Sequence, residues 1–172
     1  MKTAIETFFT EDVSTLTRQL ADLDAQTDPS AEVREDACLN QLTDAILRCL
    51  QACGRIEFRL GHDRDQIREV QDRFREEISP WFDRSWMMHR ARTKPRGYPG
   101  DYKLLAAMYD AVPRSPRLGG YLDLYLINST LGRAVRARMK AARSFLVKEI
   151  SRRRGDVYLL NVLNEHCAGD AE

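Results

Sequence analysis

The chain lacks a long apolar run. No stretch of its 172 residues approaches the roughly 18 apolar residues that a membrane-spanning helix needs. The N-terminal MKTAIETFFTEDV carries acidic residues where a signal peptide needs an apolar stretch. The sequence therefore predicts a cytoplasmic protein with no membrane partner.

An excess of charge of either sign is also missing. The formal net charge is +1, from 27 basic and 26 acidic residues, so the charge balance gives no reason to expect nucleic acid as a partner. Hydrophobic residues make up 43% of the chain, which is enough for a buried core. These values predict a globular protein of one domain, or of one domain with part of another.

Cysteine and histidine are sparse, at four and three residues. Cys38, Cys49 and Cys53 fall in step with apolar residues of one predicted helix, which favours small buried side chains. Cys49 and Cys53 lie one helical turn apart, so a second interpretation is that they are two ligands of a zinc site. No second Cys or His pair follows at ligand spacing. The sequence predicts no metal site, and the scattered histidines identify no catalytic residue.

Helical periodicity accounts for the first half of the chain. The first helix is predicted from residue 10 or 11 to about residue 25. A second helix, capped by Ser30, is predicted to run through Cys53, and Gly54 and Gly61 are expected to loosen the segment after it. The pattern from Asp63 predicts a third helix, and Ser79-Pro80 is expected to restart a helix with proline in its first turn.

Two further helices come after a turn and a connector. Asp101 is predicted to cap the first, and PRSPRLGG is predicted to be an irregular connector before YLDLYLIN. A long helix is predicted from Ser129 or Thr130 to Arg154, with one apolar and one basic face. The basic face either binds phosphates or RNA, or is solvated or paired with acids elsewhere. The lack of interleaved aromatic residues favours the second interpretation.

Only DVYLLNVL, Asp156 to Leu163, has the character of a strand. A lone strand cannot hold a sheet together, so it is expected to be the first strand of a larger sheet. Its backbone groups, left unpaired, are a template for another chain. The sequence thus predicts self-association through residues 156–163.

The segment KPRGYPGDY interrupts the helices with two prolines and two glycines. Proline fixes φ and glycine permits backbone angles that other residues avoid, so this segment is predicted to be a rigid turn. The turn displays four polar side chains: Arg96, Tyr98, Asp101 and Tyr102. Either they bind a ligand, or Asp101 caps the next helix, Arg96 pairs with an acid and the tyrosines pack between helices.

This turn and the sequence after it resemble a known family. KPRGYPGDY, Met108-Tyr109-Asp110, LGGYLD, AVRARMKAAR and the strand after Gly155 are similar to the N-terminal helical region of a family of class I S-adenosylmethionine-dependent methyltransferases. That family includes enzymes that make 3-hydroxy fatty acid methyl ester quorum signals. The resemblance covers roughly residues 92–162, and KPRGYPGDY is its most specific motif.

The resemblance implies a mainly α fold: a multi-helix N-terminal domain followed by the first strand of an incomplete Rossmann-like α/β domain. The implied boundaries are 1–91 for the N-terminal helices, 92–154 for the turn and its helices, and 155–172 for the start of the methyltransferase domain.

S-adenosylmethionine is the cofactor that the resemblance implies. Arg96, Tyr98 and Tyr102 are then expected to contact it, and Gly169 is the one residue of LNEHCAGDAE that fits the family's glycine-rich turn. The chain is expected neither to bind the cofactor nor to catalyse methyl transfer alone, with the remainder of the methyltransferase domain as its partner. The alternative is a stand-alone helical module for protein interaction or regulation.

Overall fold

A computed structural model describes residues 3–28, 32–95, 97 and 101–158 of the chain. The chain divides into two compact units, Met1–Arg136 and Ala137–Glu172. All regular elements within the described ranges are helical, so the prediction of a mainly α fold is confirmed. The domain boundaries suggested by the sequence stay a prediction.

The N-terminal helix has three consecutive parts. These are α1 (Ala4–Thr7), a π-helical segment (Phe8–Val13) and α2 (Ser14–Gln26). The predicted start at residue 10 or 11 is wrong, because Thr3 and Glu6 form a capping box that begins the helix at Ala4. The π-helical segment buries Phe8, Phe9 and Val13.

The second long helix, α3 (Ala37–Leu60), differs from its predicted bounds at both ends. Asp36 caps it, and residues 32–36 are not helical. Ser30, the predicted cap, lies outside the described residues. The helix continues through Gly54 and ends at Gly61, whose φ of 62° is the left-handed geometry that glycine tolerates. Gly54 therefore does not interrupt the helix.

Gly54 offers a site for stabilising the protein. Nothing lies within 4 Å of the position that a Cβ would occupy there. We expect Gly54→Ala to raise the free energy of unfolding by about 0.5–1 kcal/mol, because alanine has less backbone freedom to lose on folding. Urea unfolding followed by circular dichroism measures the change. A lower free energy for the variant would contradict the observed geometry.

Two helices form the next part of the fold: α4 (Arg64–Phe82) and α5 (Trp86–Thr93). The predicted start of the third helix at Asp63 is confirmed, and the Asp63 side chain caps α4. The prediction that Pro80 begins a new helix is wrong, because Pro80 lies in the last turn of α4. The chain breaks instead at Asp83 and Arg84, and Ser85 caps α5.

The last three helices are α6 (Tyr102–Asp110), α7 (Arg117–Asn128) and α8 (Thr130–Ser151). The predicted start of α8 is confirmed, since the Ser129 hydroxyl accepts the Gly132 N–H at 3.1 Å. The connector before α7 is shorter than predicted, because Gly119 and Gly120 lie within the first turn of that helix.

The first unit has a main core between α2, α3, α5, α6 and α7. Its fully buried side chains include Leu20, Leu42, Met87, Leu118 and Leu122. A second, smaller cluster joins the π-helical segment to α3 and α4. Of the predicted buried cysteines, Cys49 is buried, while Cys38 and Cys53 are half-buried.

The described part of the second unit, residues 137–158, exposes several apolar side chains. They are Met139, Phe145, Leu146, Val147, Ile150, Val157 and Tyr158. Residues 156–158, the start of the predicted strand, are not in a strand, and its other residues lie outside the described ranges. Self-association through this segment stays a prediction. None of the described helices combines the length and the apolar character that crossing a bilayer requires.

Candidate functional site

The turn segment, residues 94–102, is the strongest functional candidate in the sequence. Lys94 ends α5 with a φ of 46°, in the left-handed region. Gly97 has a φ of 78° and donates its N–H to the Lys94 carbonyl at 2.7 Å. A positive φ disfavours side chains with a Cβ, so this position uses the freedom of glycine that the sequence analysis predicts. The segment thus begins with a defined, hydrogen-bonded turn.

The other end of the segment is anchored by Asp101. This side chain is only 2% exposed, and its Oδ1 accepts the N–H of Lys103 at 2.9 Å. The predicted capping role is therefore confirmed. Asp101 Oδ2 lies 2.5 Å from Nε of Arg90, at ion-pairing distance but not aligned as a hydrogen bond. This buried pair joins the end of the turn to α5.

Of the four predicted cofactor contacts, the structure describes only Tyr102. It is the first residue of α6 and half-buried, with Nζ of Lys103 5.9 Å from its ring centre. Arg96, Tyr98 and Gly169 lie outside the described residues. A role in cofactor binding stays a prediction for all four.

Trp86, the first residue of α5, contacts the arginine that pairs with Asp101. The guanidinium of Arg90 is 5.4 Å from its ring centre and that of Arg114 is 5.5 Å. Its backbone N–H donates to the Ser115 hydroxyl at 2.7 Å. Cations at this distance from an indole are attracted by its ring electrons. The indole thus holds in place the arginine that pairs with Asp101.

Asp123, on α7, is the most heavily hydrogen-bonded side chain near this site. It is fully buried, and its carboxylate accepts four hydrogen bonds. They come from the Ser85 hydroxyl at 2.5 Å, and from the backbone N–H groups of Met87 at 3.2 Å, Arg114 at 2.8 Å and Ser115 at 2.9 Å. One side chain thereby fixes the start of α5 and the connector before α7.

Sequence reasoning missed Asp123, although a signal was present. It is the only charged residue in the apolar stretch LGGYLDLYLI. A lone acid on an apolar helix is expected to be buried with donors around it, because an unpaired buried carboxylate is costly. Since the protein itself supplies all four donors, Asp123 acts as a structural support for the site.

Tyr121 contributes a second buried hydrogen bond on α7. Its hydroxyl donates to Oδ2 of Asp36 at 2.7 Å. Burial, together with the hydrogen bond and the charge of Asp36, raises the pKa of Tyr121 to about 12. The neutral phenol therefore stabilises the folded state, as does the capping of α3 by the other oxygen of Asp36.

The Tyr121 pair predicts a dependence on alkaline pH. Its contribution to stability is fully present below the ordinary tyrosine pKa of about 10 and is lost as pH rises through the folded value. We expect Tyr121→Phe to cost about 1–2 kcal/mol at pH 7, and the difference from the wild type to shrink above pH 10. Urea unfolding of both proteins from pH 7 to 11 measures this. A difference that is constant over that range would contradict the assignment.

The cysteine pair on α3 does not form a metal site with other described residues. No group of three or more His, Cys, Asp or Glu side chains within the described ranges is placed to hold a metal ion. A hydrogen bond between the two thiols raises the pKa of Cys49 and lowers that of Cys53. The two cysteines thus interact with each other as free thiols.

Comparison with known proteins adds no relative. No protein-family model, curated protein or solved structure matches this chain. A functional proposal therefore depends on the resemblance of the turn motif and on the local geometry that surrounds it.

Proposed function

We propose that the chain is the helical, cytoplasmic portion of a class I S-adenosylmethionine-dependent methyltransferase. In this proposal the residues from Gly155 onward begin the Rossmann-like catalytic domain, and Arg96, Tyr98 and Tyr102 of the turn segment contact the cofactor. The 172 residues alone bind no cofactor and transfer no methyl group. S-adenosylmethionine binds where the remainder of the domain supplies the glycine-rich loop.

The observation that supports this proposal is the anchoring of the turn segment at both ends. The Lys94–Gly97 hydrogen bond fixes its beginning, and the buried Asp101 fixes its end to α5 and α6. A segment held in this way loses little entropy when its side chains bind a ligand. Such a support suits Arg96 and Tyr98 as ligand contacts.

A stand-alone interaction module is the second candidate function. The observation in its favour is the exposed apolar face of the second unit, where Leu146 is 39% and Ile150 44% exposed. Exposed apolar side chains of this size on one helix are typical of a protein-binding surface. The basic residues of α8 then select a partner with acidic groups around an apolar face.

The nucleotide sequence after the codon for Glu172 discriminates the two functions. The methyltransferase proposal expects a continuing or shifted reading frame that encodes a glycine-rich loop and further strands. If unrelated sequence is found there, the proposal is wrong and the interaction module is favoured.

Calorimetry with S-adenosylmethionine then tests the site. We expect no binding by the 172 residues alone, and binding with a micromolar dissociation constant when the encoded remainder is joined to them. In the joined protein, Arg96→Gln is expected to weaken binding about ten-fold, the effect of losing one charged contact. Arg92→Gln is the matched control, because Arg92 pairs with Asp83 on the surface. Micromolar binding by the 172 residues alone would contradict the proposal.

A further inference from the structure

The part of α8 that belongs to the second unit has one apolar side, and that side is exposed. Every residue from 137 to 148 is exposed. Met139, Ala142, Leu146 and Ile150 lie three or four residues apart, so they share one side of the helix and form its apolar stripe. Helices in proteins are stabilised mainly by the packing of such a side against another surface. The stripe is therefore a candidate contact surface.

Basic residues surround the apolar stripe. Residues 137–154 contain seven of the chain's 27 basic residues and a single acid, Glu149, which pairs with Arg152 at 3.3 Å. Helical periodicity places Arg138 and Arg143 beside the stripe on opposite sides. This segment is therefore strongly positive, although the whole chain has a net charge of only +1. Its basic residues are Arg138, Lys140, Arg143, Lys148, Arg152, Arg153 and Arg154.

We propose that this part of α8 binds the surface of an anionic lipid bilayer. The apolar stripe enters the headgroup region, and the basic residues contact the acidic headgroups. The stems of Arg138 and Arg143 can lie along the apolar surface while their guanidinium groups reach lipid phosphates and carboxylates. Mobile anionic lipids can gather around charges on both sides of a convex helix. A protein partner would instead need a groove with acids on both walls, so the charge distribution favours the bilayer.

Surface binding differs from crossing a bilayer. The prediction of no membrane partner rests on the lack of a long apolar run, whereas a helix that lies on a membrane needs only one apolar side. The surface is the one used by the second candidate function, and a protein partner is therefore an outcome of the test. The inference does not depend on the methyltransferase proposal, because it uses only residues 137–154.

Co-sedimentation with lipid vesicles tests the role of charge. We expect the 172-residue protein to bind phosphatidylcholine vesicles that contain about one-third phosphatidylserine, and to bind pure phosphatidylcholine at least about ten-fold more weakly. Arg138→Gln and Arg143→Gln together are expected to weaken binding about thirty-fold, because each basic residue near an anionic surface contributes a factor of about five. Arg64→Gln and Arg68→Gln are the matched control, since they remove the same charge from exposed positions of α4 and are expected to leave binding unchanged.

Three results would overturn the proposal. The first is equal binding to the two kinds of vesicle, and the second is an equal loss of binding in the two double variants. The third is an absence of vesicle binding together with salt-dependent binding of polyglutamate, which would favour an acidic protein as the partner.

Tryptophan fluorescence tests which side of α8 contacts the bilayer. Leu146→Trp is expected to show a blue-shifted emission on anionic vesicles, because its indole leaves water. Ser144→Trp is the matched control, since Ser144 lies two residues before Leu146 and therefore on the other side of the helix. Both positions are exposed, so neither variant disturbs a packed core, and the wild-type spectrum accounts for Trp81 and Trp86. An equal shift in the two variants, or no shift for Leu146→Trp, would overturn the proposed contact.

Discussion

Replacing Asp123 with alanine is expected to lower the free energy of unfolding by about 3–5 kcal/mol, a large part of the stability of a small domain. The carboxylate accepts four hydrogen bonds in a site closed to water. Alanine leaves the hydroxyl of Ser85 and the N–H groups of Met87, Arg114 and Ser115 without their acceptor, and each buried orphan donor costs free energy. Urea unfolding followed by far-ultraviolet circular dichroism measures the loss.

Asp110 provides the matched control. It pairs with Arg114 at 2.7 Å, but its side chain is 57% exposed. Asp110→Ala is expected to change the free energy of unfolding by less than about 1 kcal/mol, because exposed ion pairs contribute little. If the two alanine variants are equally stable, then the hydrogen bonds to Asp123 are replaced by water at little cost, and its role as a buried support is wrong.

Gly119→Ala is expected to lower the free energy of unfolding by about 2–3 kcal/mol through steric overlap. An added Cβ would lie 2.3 Å from the carbonyl oxygen of Arg84 and 2.9 Å from Cβ of Ser115. The oxygen belongs to the backbone between α4 and α5, so relief requires α7 to move away from that corner. Thermal and urea unfolding both report the loss.

Gly120→Ala should behave in the same way, since its Cβ would lie 2.4 Å from the carbonyl oxygen of Ser115. Gly54→Ala, also within a helix but with open space around it, is expected to have the opposite sign. Comparing Gly119→Ala with Gly54→Ala therefore separates steric overlap from the general effect of alanine in a helix. A stabilised Gly119→Ala protein would show that α7 does not approach Arg84 closely.

Local signals predicted several helix boundaries well. Asp63, Asp101 and Ser129 each accept a hydrogen bond from a backbone N–H two or three residues later. A cap of this kind depends on a few consecutive residues, so the sequence is sufficient to find it. The same reasoning predicted Ser30 as the cap of the second helix, whereas Asp36 caps α3 in the structure.

Features that depend on residues distant in sequence were not predictable. Gly119 and Gly120 have the composition of a connector, but they are required where α7 approaches Arg84 and Val33 closely. Pro80 was expected to begin a new helix, but α4 continues through it to Phe82. The burial of Asp123 had a signal in the sequence, but its four donors did not, because they lie 8 to 38 residues away.

Only the backbone features of the candidate site were predictable from the sequence. The glycine geometry at Gly97 and the cap at Asp101 are predictable from the motif itself. The ion pair of Asp101 with Arg90 is not, because it requires the packing of α5 against α6. Of the residues expected to contact the cofactor, Tyr102 is the one that the structure places, at the start of α6.

The Asp123 network also bears on how the protein opens and closes. Its donors come from the start of α5 and from the connector before α7, which are separated by almost thirty residues along the chain. Neither segment can detach without exposing the Asp123 carboxylate to water. Opening of one segment therefore weakens the hydrogen bonds that hold the other. Segments linked in this way unfold as a single cooperative unit. The amide protons of Met87, Arg114 and Ser115 thus share one opening event, despite lying on different elements.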